Sequence, residues 1–209
     1  MKNHQSIRIF KNPILELMTH VHPIVPLLLW APIIFFFYYR SYSQYHLAPR
    51  EYFLIFFMGL LIWTLAEYLL HRFLFHFETE NKFAKYLVFL FHGLHHDDPH
   101  DPTRLVMPPV PALLITSFLY FLMWCIFPLL ILDALFASFM IGYLFYDYIH
   151  YGTHHFAMKG KVAKYLKNYH LKHHFSHDPL HYGVSSPLWD YIFGTVTNKK
   201  RSSLHTRLN

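Results

Sequence analysis

Charged residues are scarce in this chain of 209 residues: Asp, Glu, Lys and Arg together supply 14% of it. A soluble domain carries about 25%. The deficit, set beside a hydrophobic content of 54%, excludes an ordinary water-soluble globule and points to a membrane. Cysteine is nearly absent. The one residue, Cys125, can form no disulfide within the chain and sits in an apolar stretch as a small hydrophobe. Gly/Ser-rich linkers, low-complexity blocks and internal repeats are also missing, which leaves a single domain over 1–209 as the economical reading. Neither a G-x-G-x-x-G fingerprint nor a P-loop occurs, so flavin, NAD and ATP sites within the chain are not expected. No small-residue cleavage site follows the first apolar run, which argues against an N-terminal signal peptide. In so apolar a chain, the net charge of +6 is read as affinity for an anionic membrane surface and not for nucleic acid.

Long apolar runs are abundant. Four approach the roughly 20 residues that cross a bilayer core: Pro23 to Tyr39, Tyr52 to Leu70, and a stretch from Pro108 to Tyr151 that is long enough for two spans turning near Pro128 to Asp133. Of the 18 Lys and Arg residues, only Arg40 and Arg50 fall between spans one and two, and none between spans three and four. The other sixteen lie in the N-terminal arm, the middle loop and the tail, so the positive-inside rule places those segments in the cytoplasm. Asn81 to His96, with Phe83, Leu87, Leu90 and Phe91 on one side, reads as a helix at the membrane surface, as does Lys161 to Ser176, stopped by Asp178-Pro179. The aromatic share of 20% fits lipid-facing packing and interfacial anchoring.

Histidine carries the functional signal. Ten of the 19 fall into four patterns: His71-x4-His76, His92-x2-His95-His96, His150-x3-His154 and His170-x2-His173-His174. At this histidine content the H-x-x-H-H pattern is expected about 0.15 times in the chain, and it occurs twice. Residues three and four apart share a helix face, so each H-x-x-H-H set can converge on one point, as can His150 with His154. His71 and His76, five apart, cannot share a face of a continuous α-helix, and that helix is expected to end near His76. Spans two and four both run toward the cytoplasm, so all four groups meet at one membrane face. Ten convergent imidazoles imply two ions. Ligand type alone leaves zinc, iron, copper and nickel open.

Around these groups, Glu67 lies four residues before His71 and Asp147 three before His150. Each is placed to accept a ring N–H of a ligating histidine or to line the cavity. Asp133, at the expected turn, is read as solvated. His100, His155, His177 and His181 flank the clusters and are weaker ligand candidates. His4, His20, His22, His46 and His205 are read as incidental, and Lys199-Lys200-Arg201 as a solvated tail or a contact to anionic lipid.

With these motifs the chain resembles the fatty acid hydroxylase or sterol desaturase superfamily of membrane di-iron enzymes, from about Phe53 to Thr195. The segments YDYIHYGTHH (Tyr146 to His155), YHLKHHF (Tyr169 to Phe175) and YGVSSPLWDYIFGT (Tyr182 to Thr195) are most similar to the fatty acid 2-hydroxylases that act on sphingolipid acyl chains. The resemblance implies that all ten patterned histidines bind two iron ions, with zinc able to displace iron during purification, and that O2 is the co-substrate. Tyr146, Asp147, Trp189 and Asp190 then stand near the site or support its fold. Some relatives carry an N-terminal haem carrier of the cytochrome b type, whose pattern this chain lacks. An external donor is therefore expected, either cytochrome b-type or ferredoxin-like with its reductase.

The expected molecule is all-α: an integral membrane bundle of four transmembrane helices capped by a cytosolic, helical, histidine-rich dimetal site. Its hydroxylase core covers about 53–195, between an arm of residues 1–22 and a basic tail of 196–209. The expected activity is lipid-biosynthetic hydroxylation of a fatty acyl chain at C2, free or in ceramide or sphingolipid. A bacterial inner membrane is favoured over an endoplasmic reticulum. Two alternatives stand beside this: a sterol or fatty acyl desaturase or carotenoid hydroxylase with the same site, and a non-oxidative membrane zinc-binding protein.

Overall fold

Prolines mark where the long helices begin, as their fixed φ and missing N–H suit a first turn. The computed structural model describes residues 6–176 and 180–197, and every regular element among them is helical. A short helix α1 (Pro13–Leu17), capped by the Asn12 side chain, is followed by α2 (Val25–Tyr45) and α3 (Pro49–Leu70). The chain runs on from α3 through a π turn, His71–Phe75, in which the His76 N–H donates to the His71 carbonyl at 3.2 Å. Next come α4 (Lys82–Val88), a second π turn (Phe89–Gly93) and α5 (Leu94–Asp97). Helices α6 (Pro109–Ile126) and α7 (Leu129–His155) are joined through Phe127 and Pro128, and α8 (Lys161–Phe175) and α9 (Leu188–Phe193) complete the order.

Three of these helices are long and apolar enough to cross a membrane: α3 with its π turn, α6 and α7. The molecule is a membrane protein on that composition. The fourth expected span, α2, has the length, but Arg40 and a Ser- and Tyr-rich end lower its apolar content. The two segments expected at the membrane surface are helical nearly over the expected ranges, 82–97 and Lys161–Phe175, while Asp178-Pro179 lies outside the described residues.

Helix α7 is the axis of the fold. It is almost continuously buried from Leu132 to Met140, and it packs on α3 and α2 around Trp30, Ile55, Trp63, Leu135 and Phe139. Helices α3 and α7 run parallel in a register fixed by two glycines. A Cβ on Gly59 would sit 2.4 Å from Ser138 Cβ, and one on Gly142 would sit 2.6 Å from Trp63 Cβ, so the backbones approach as small residues allow in apolar surroundings. Continued along both helices, this register brings His71 level with His150. Helix α6 buries only Ala112, Thr116 and Met123 and packs on α7 more sparingly than α2 and α3 do.

Two expectations fail at the other end of the bundle. Asp133 is not solvated at a turn; it is 3% exposed inside α7. Arg40 is not in a loop; it lies in α2 and forms a bidentate ion pair with Asp133, while also donating to Tyr120 Oη at 3.2 Å. Two charges in apolar surroundings are less costly paired than apart, and this pair ties α2 to α7 and α6.

Candidate metal centre

The ten patterned histidines gather into two groups of five, within each of which the ring nitrogens lie within 4.8 Å of one another. The first holds His71 and His76 from the end of α3, His92 and His96 from the α4–α5 segment, and His173 from α8. His150 and His154 from the end of α7, His170 and His174 from α8, and His95 from α5 make the second. The H-x-x-H-H sets thus do not each converge on one point. Residues four apart share a face, but adjacent residues point about 100° apart, so His95 and His173 cross into the group built by the other set. The π turn resolves the five-residue spacing of His71 and His76, because an i to i+5 repeat returns both to one face.

Burial, and behind it neighbouring imidazoles, keeps these rings neutral. The pKa is lowered to about 4 at His76 and about 3 at His96 and His173, and lies well below the ordinary value at His92, His95 and His170. Neutral imidazoles at such range need a partner, and hydrogen bonding cannot supply it. In the first group the Nε2 contacts run in order through His71, His92, His96, His173 and His76 at 2.9, 3.0, 3.1 and 3.0 Å. His71 and His173 each donate Nδ1–H to a carbonyl, of Tyr182 and of Leu180, so the Nε2 atom of each carries only a lone pair. Donors and acceptors must alternate along such a chain, which would make these two rings opposite in kind. Both are acceptors. At least one contact therefore opposes like poles, and a cation at the focus relieves it.

Spacing also bears on the ion. At metal–nitrogen bonds of about 2.0–2.1 Å, a tetrahedral ion sets its ligands about 3.3–3.4 Å apart, and one with right-angled ligands about 2.8–3.0 Å. The second group's contacts, His150 to His95, His174, His170 and His154 in turn, measure 3.0, 3.0, 3.0 and 2.8 Å. Each group offers five nitrogens with edges nearer those of an ion with coordination number above four than those of a closed tetrahedral site.

The fatty acid hydroxylase family model matches residues 56–195, which hold all ten of these histidines. The chain belongs to the fatty acid hydroxylase family. It is 38% identical to human fatty acid 2-hydroxylase over 94% of its length, and 39% identical to dihydroceramide fatty acyl 2-hydroxylase FAH1 of Arabidopsis thaliana over 92%. It covers 58% of the human protein and 81% of the plant one, so it spans less than two thirds of its mammalian relatives. The hydroxylase domain visible in the structure of full-length scs7p superposes with a TM-score of 0.85 at 36% identity, covering 92% of this chain and 73% of that one.

Of the two readings of Glu67 and Asp147, the cavity-lining one holds, since both line a cavity beside the site. Among the described residues Glu67 takes no histidine N–H; it accepts from Val184 N at 2.6 Å, Ser185 N at 2.8 Å and the Ser185 hydroxyl. No hydrogen bond joins Asp147 to His150 among the described residues, and Asp147 Oδ2, buried without a partner there, faces the cavity. Asp190 accepts from Tyr182 N, Gly183 N and Thr195 Oγ1 at 2.7–2.9 Å. Trp189 Nε1 donates to Thr64 Oγ1, and Tyr146 stacks on His150 with ring centroids 5.7 Å apart. Thus Tyr146 packs on a patterned histidine, Trp189 ties the C-terminal segment to α3, and Asp190 closes that segment on itself.

The carbonyls of Leu180 and Tyr182 escaped sequence reasoning because backbone atoms carry no residue signature. Only the Tyr182–Ser185 stretch of the family-like segment marked their neighbourhood. His100, His155 and His181 join neither group, and His181 instead meets Thr197 Oγ1 at 2.9 Å. Of the incidental histidines, His20 contacts Thr103 Oγ1 and Arg104. His4, His177, His205 and Lys199–Arg201 lie outside the described residues.

A cavity of about 570 Å³, enclosed by the N-terminal arm, residues 104–108 and helices α3, α6 and α7, reaches the site. Its walls are mainly apolar, among them Leu70, Leu94, Val106, Ile115 and Leu119, and it reaches His92, His95 and His150. That size falls within the range of small-ligand pockets.

Proposed function

We propose that this chain is a membrane di-iron monooxygenase that hydroxylates a fatty acyl chain at C2, as a free acid or within a ceramide or sphingolipid. The observation that carries the reading is the pair of five-histidine groups beside an apolar cavity that His92, His95 and His150 line. Its similarity to a fatty acid 2-hydroxylase and a dihydroceramide fatty acyl 2-hydroxylase supports the substrate and position. Helices α2, α3, α6 and α7 would form the spans, with the histidine end and its basic segments on the cytoplasmic side.

His71, His76, His92, His96 and His173 would hold one ion, and His95, His150, His154, His170 and His174 the other. Two iron ions there would supply reductive activation of O2, one oxygen atom entering the C–H bond and the other leaving as water with two protons from solvent and two electrons from an external cytochrome b-type or ferredoxin-like donor. The rings, kept neutral by burial, present Nε2 without first releasing a proton. Leu94, Ile115 and Leu119 grip the acyl chain and exclude water, while the cavity directs its head end toward His95 and His150. Holding the carbon beside the acyl carbonyl at that end fixes the position attacked.

Expression in a host that lacks 2-hydroxy lipids, followed by lipid mass spectrometry and metal analysis of the purified protein, tests the reading. The expected result is two metals per chain and acyl chains heavier by one oxygen at C2. A new double bond without added oxygen would favour a desaturase. Zinc as the sole competent metal, with no O2 consumed after reconstitution with ferrous iron and reductant, would overturn the oxygenase assignment.

A further inference from the structure

The two five-histidine groups differ in what stands behind them. In the first, the Nδ1 donors of His71 and His173 are tied to the carbonyls of Tyr182 and Leu180, the latter at 2.8 Å. Both carbonyls belong to one segment, 180–185, and two buried carboxylates hold it: Glu67 on Val184 and Ser185, and Asp190 on Tyr182, Gly183 and Thr195. Further bonds from His181 N to Thr195 O and from Thr195 N to Asp190 O close the segment on itself. In the second group, the Nδ1 atoms of His95, His170 and His174 are buried and meet no hydrogen-bond partner among the described residues.

From this contrast we infer that the two metal sites are inequivalent: the site of His71, His76, His92, His96 and His173 is a braced, slowly exchanging site, and its neighbour a labile one. Glu67 and Asp190 are positioning residues for the braced site alone, acting through two backbone carbonyls that set the tautomer and ring orientation of His71 and His173. Outer partners of ligating histidines govern metal retention, and their loss lowers affinity about 10–100-fold. This inference rests on the ligand assignment proposed above.

The test is chelator-driven release of metal from the detergent-purified, metal-loaded full chain, followed by metal analysis and independent of turnover. Wild type is expected to lose one equivalent quickly and one slowly. Glu67→Gln and Asp190→Asn should each speed the slow phase about 10–100-fold and leave the fast phase unchanged. Ser185→Ala, which removes one of the three bonds into Glu67, is the milder variant should those fail to fold, and it should speed the slow phase less. General loosening of the fold would accelerate both phases, so a phase-selective effect separates positioning from mere stability. Two equivalents leaving wild type in one phase, or variants that accelerate both phases alike, would overturn the inequivalence and leave the dimetal reading standing. Fewer than two metals per loaded chain would overturn both.

Discussion

His95 and His173 hold a distinct place among the ten, since each leaves the set it belongs to by sequence and completes the other group. Removing either should deprive one ion of a ligand donated from across the site. His173→Ala is expected to cut bound metal from two equivalents toward one and to abolish activity, as read by elemental analysis beside product assay. His100→Ala, outside both groups, should change neither. The lowered pKa values make a second prediction. His76, His96 and His173 sit near 3 to 4 when folded against about 6.5 when unfolded. Below about pH 6.5 the unfolded chain thus binds more protons, and stability is lost as pH falls through that value toward the folded ones. The metal-free protein should therefore unfold at lower temperature at pH 5 than at pH 7.5, followed by tryptophan fluorescence. An unchanged midpoint would mean that the rings are not held neutral.

Helix pairing decides whether these residues meet at all. Gly59 and Gly142 let α3 and α7 approach, and a methyl at position 59 would press on the Phe139 backbone nitrogen at 2.9 Å, which cannot yield as a side chain would. Gly59→Ala is expected to cost about 1–3 kcal/mol and to lower both melting temperature and bound metal. At the far end, Arg40→Met should destabilise strongly because it strands a buried Asp133, whereas Arg40→Met with Asp133→Leu should recover most of the loss. An equal loss in single and double variants would contradict a purely pairing role. Much at this scale was legible in the sequence: the helical segments after Asn81 and from Lys161, the long apolar helices α3, α6 and α7, and the four histidine patterns. What escaped was three-dimensional. The burial of Asp133 depends on α2 arriving beside it, and no residue type announces a π turn. The choice of group for His95 and His173 turns on the 100° step between neighbouring residues once two helices face each other.

Over the whole molecule, the histidine groups stand at the C-terminal ends of parallel α3 and α7, and the Arg40–Asp133 pair lies near their N-terminal ends. That polarity, with the basic segments gathered at the histidine end, gives a topology that labelling can test. With Cys125 replaced by serine, Phe127→Cys should react with a membrane-impermeant thiol reagent from outside the cell, and Ser176→Cys only after permeabilisation. The apolar cavity joins this architecture to the proposed chemistry by reaching His92, His95 and His150, where the acyl chain would lie. The most direct measurement is therefore isotopic. Iron-loaded protein with an electron donor, an acyl lipid and heavy dioxygen is expected to yield product carrying one labelled oxygen on C2, lost in His173→Ala. Unlabelled product, label at another carbon, or a desaturated chain would contradict the account.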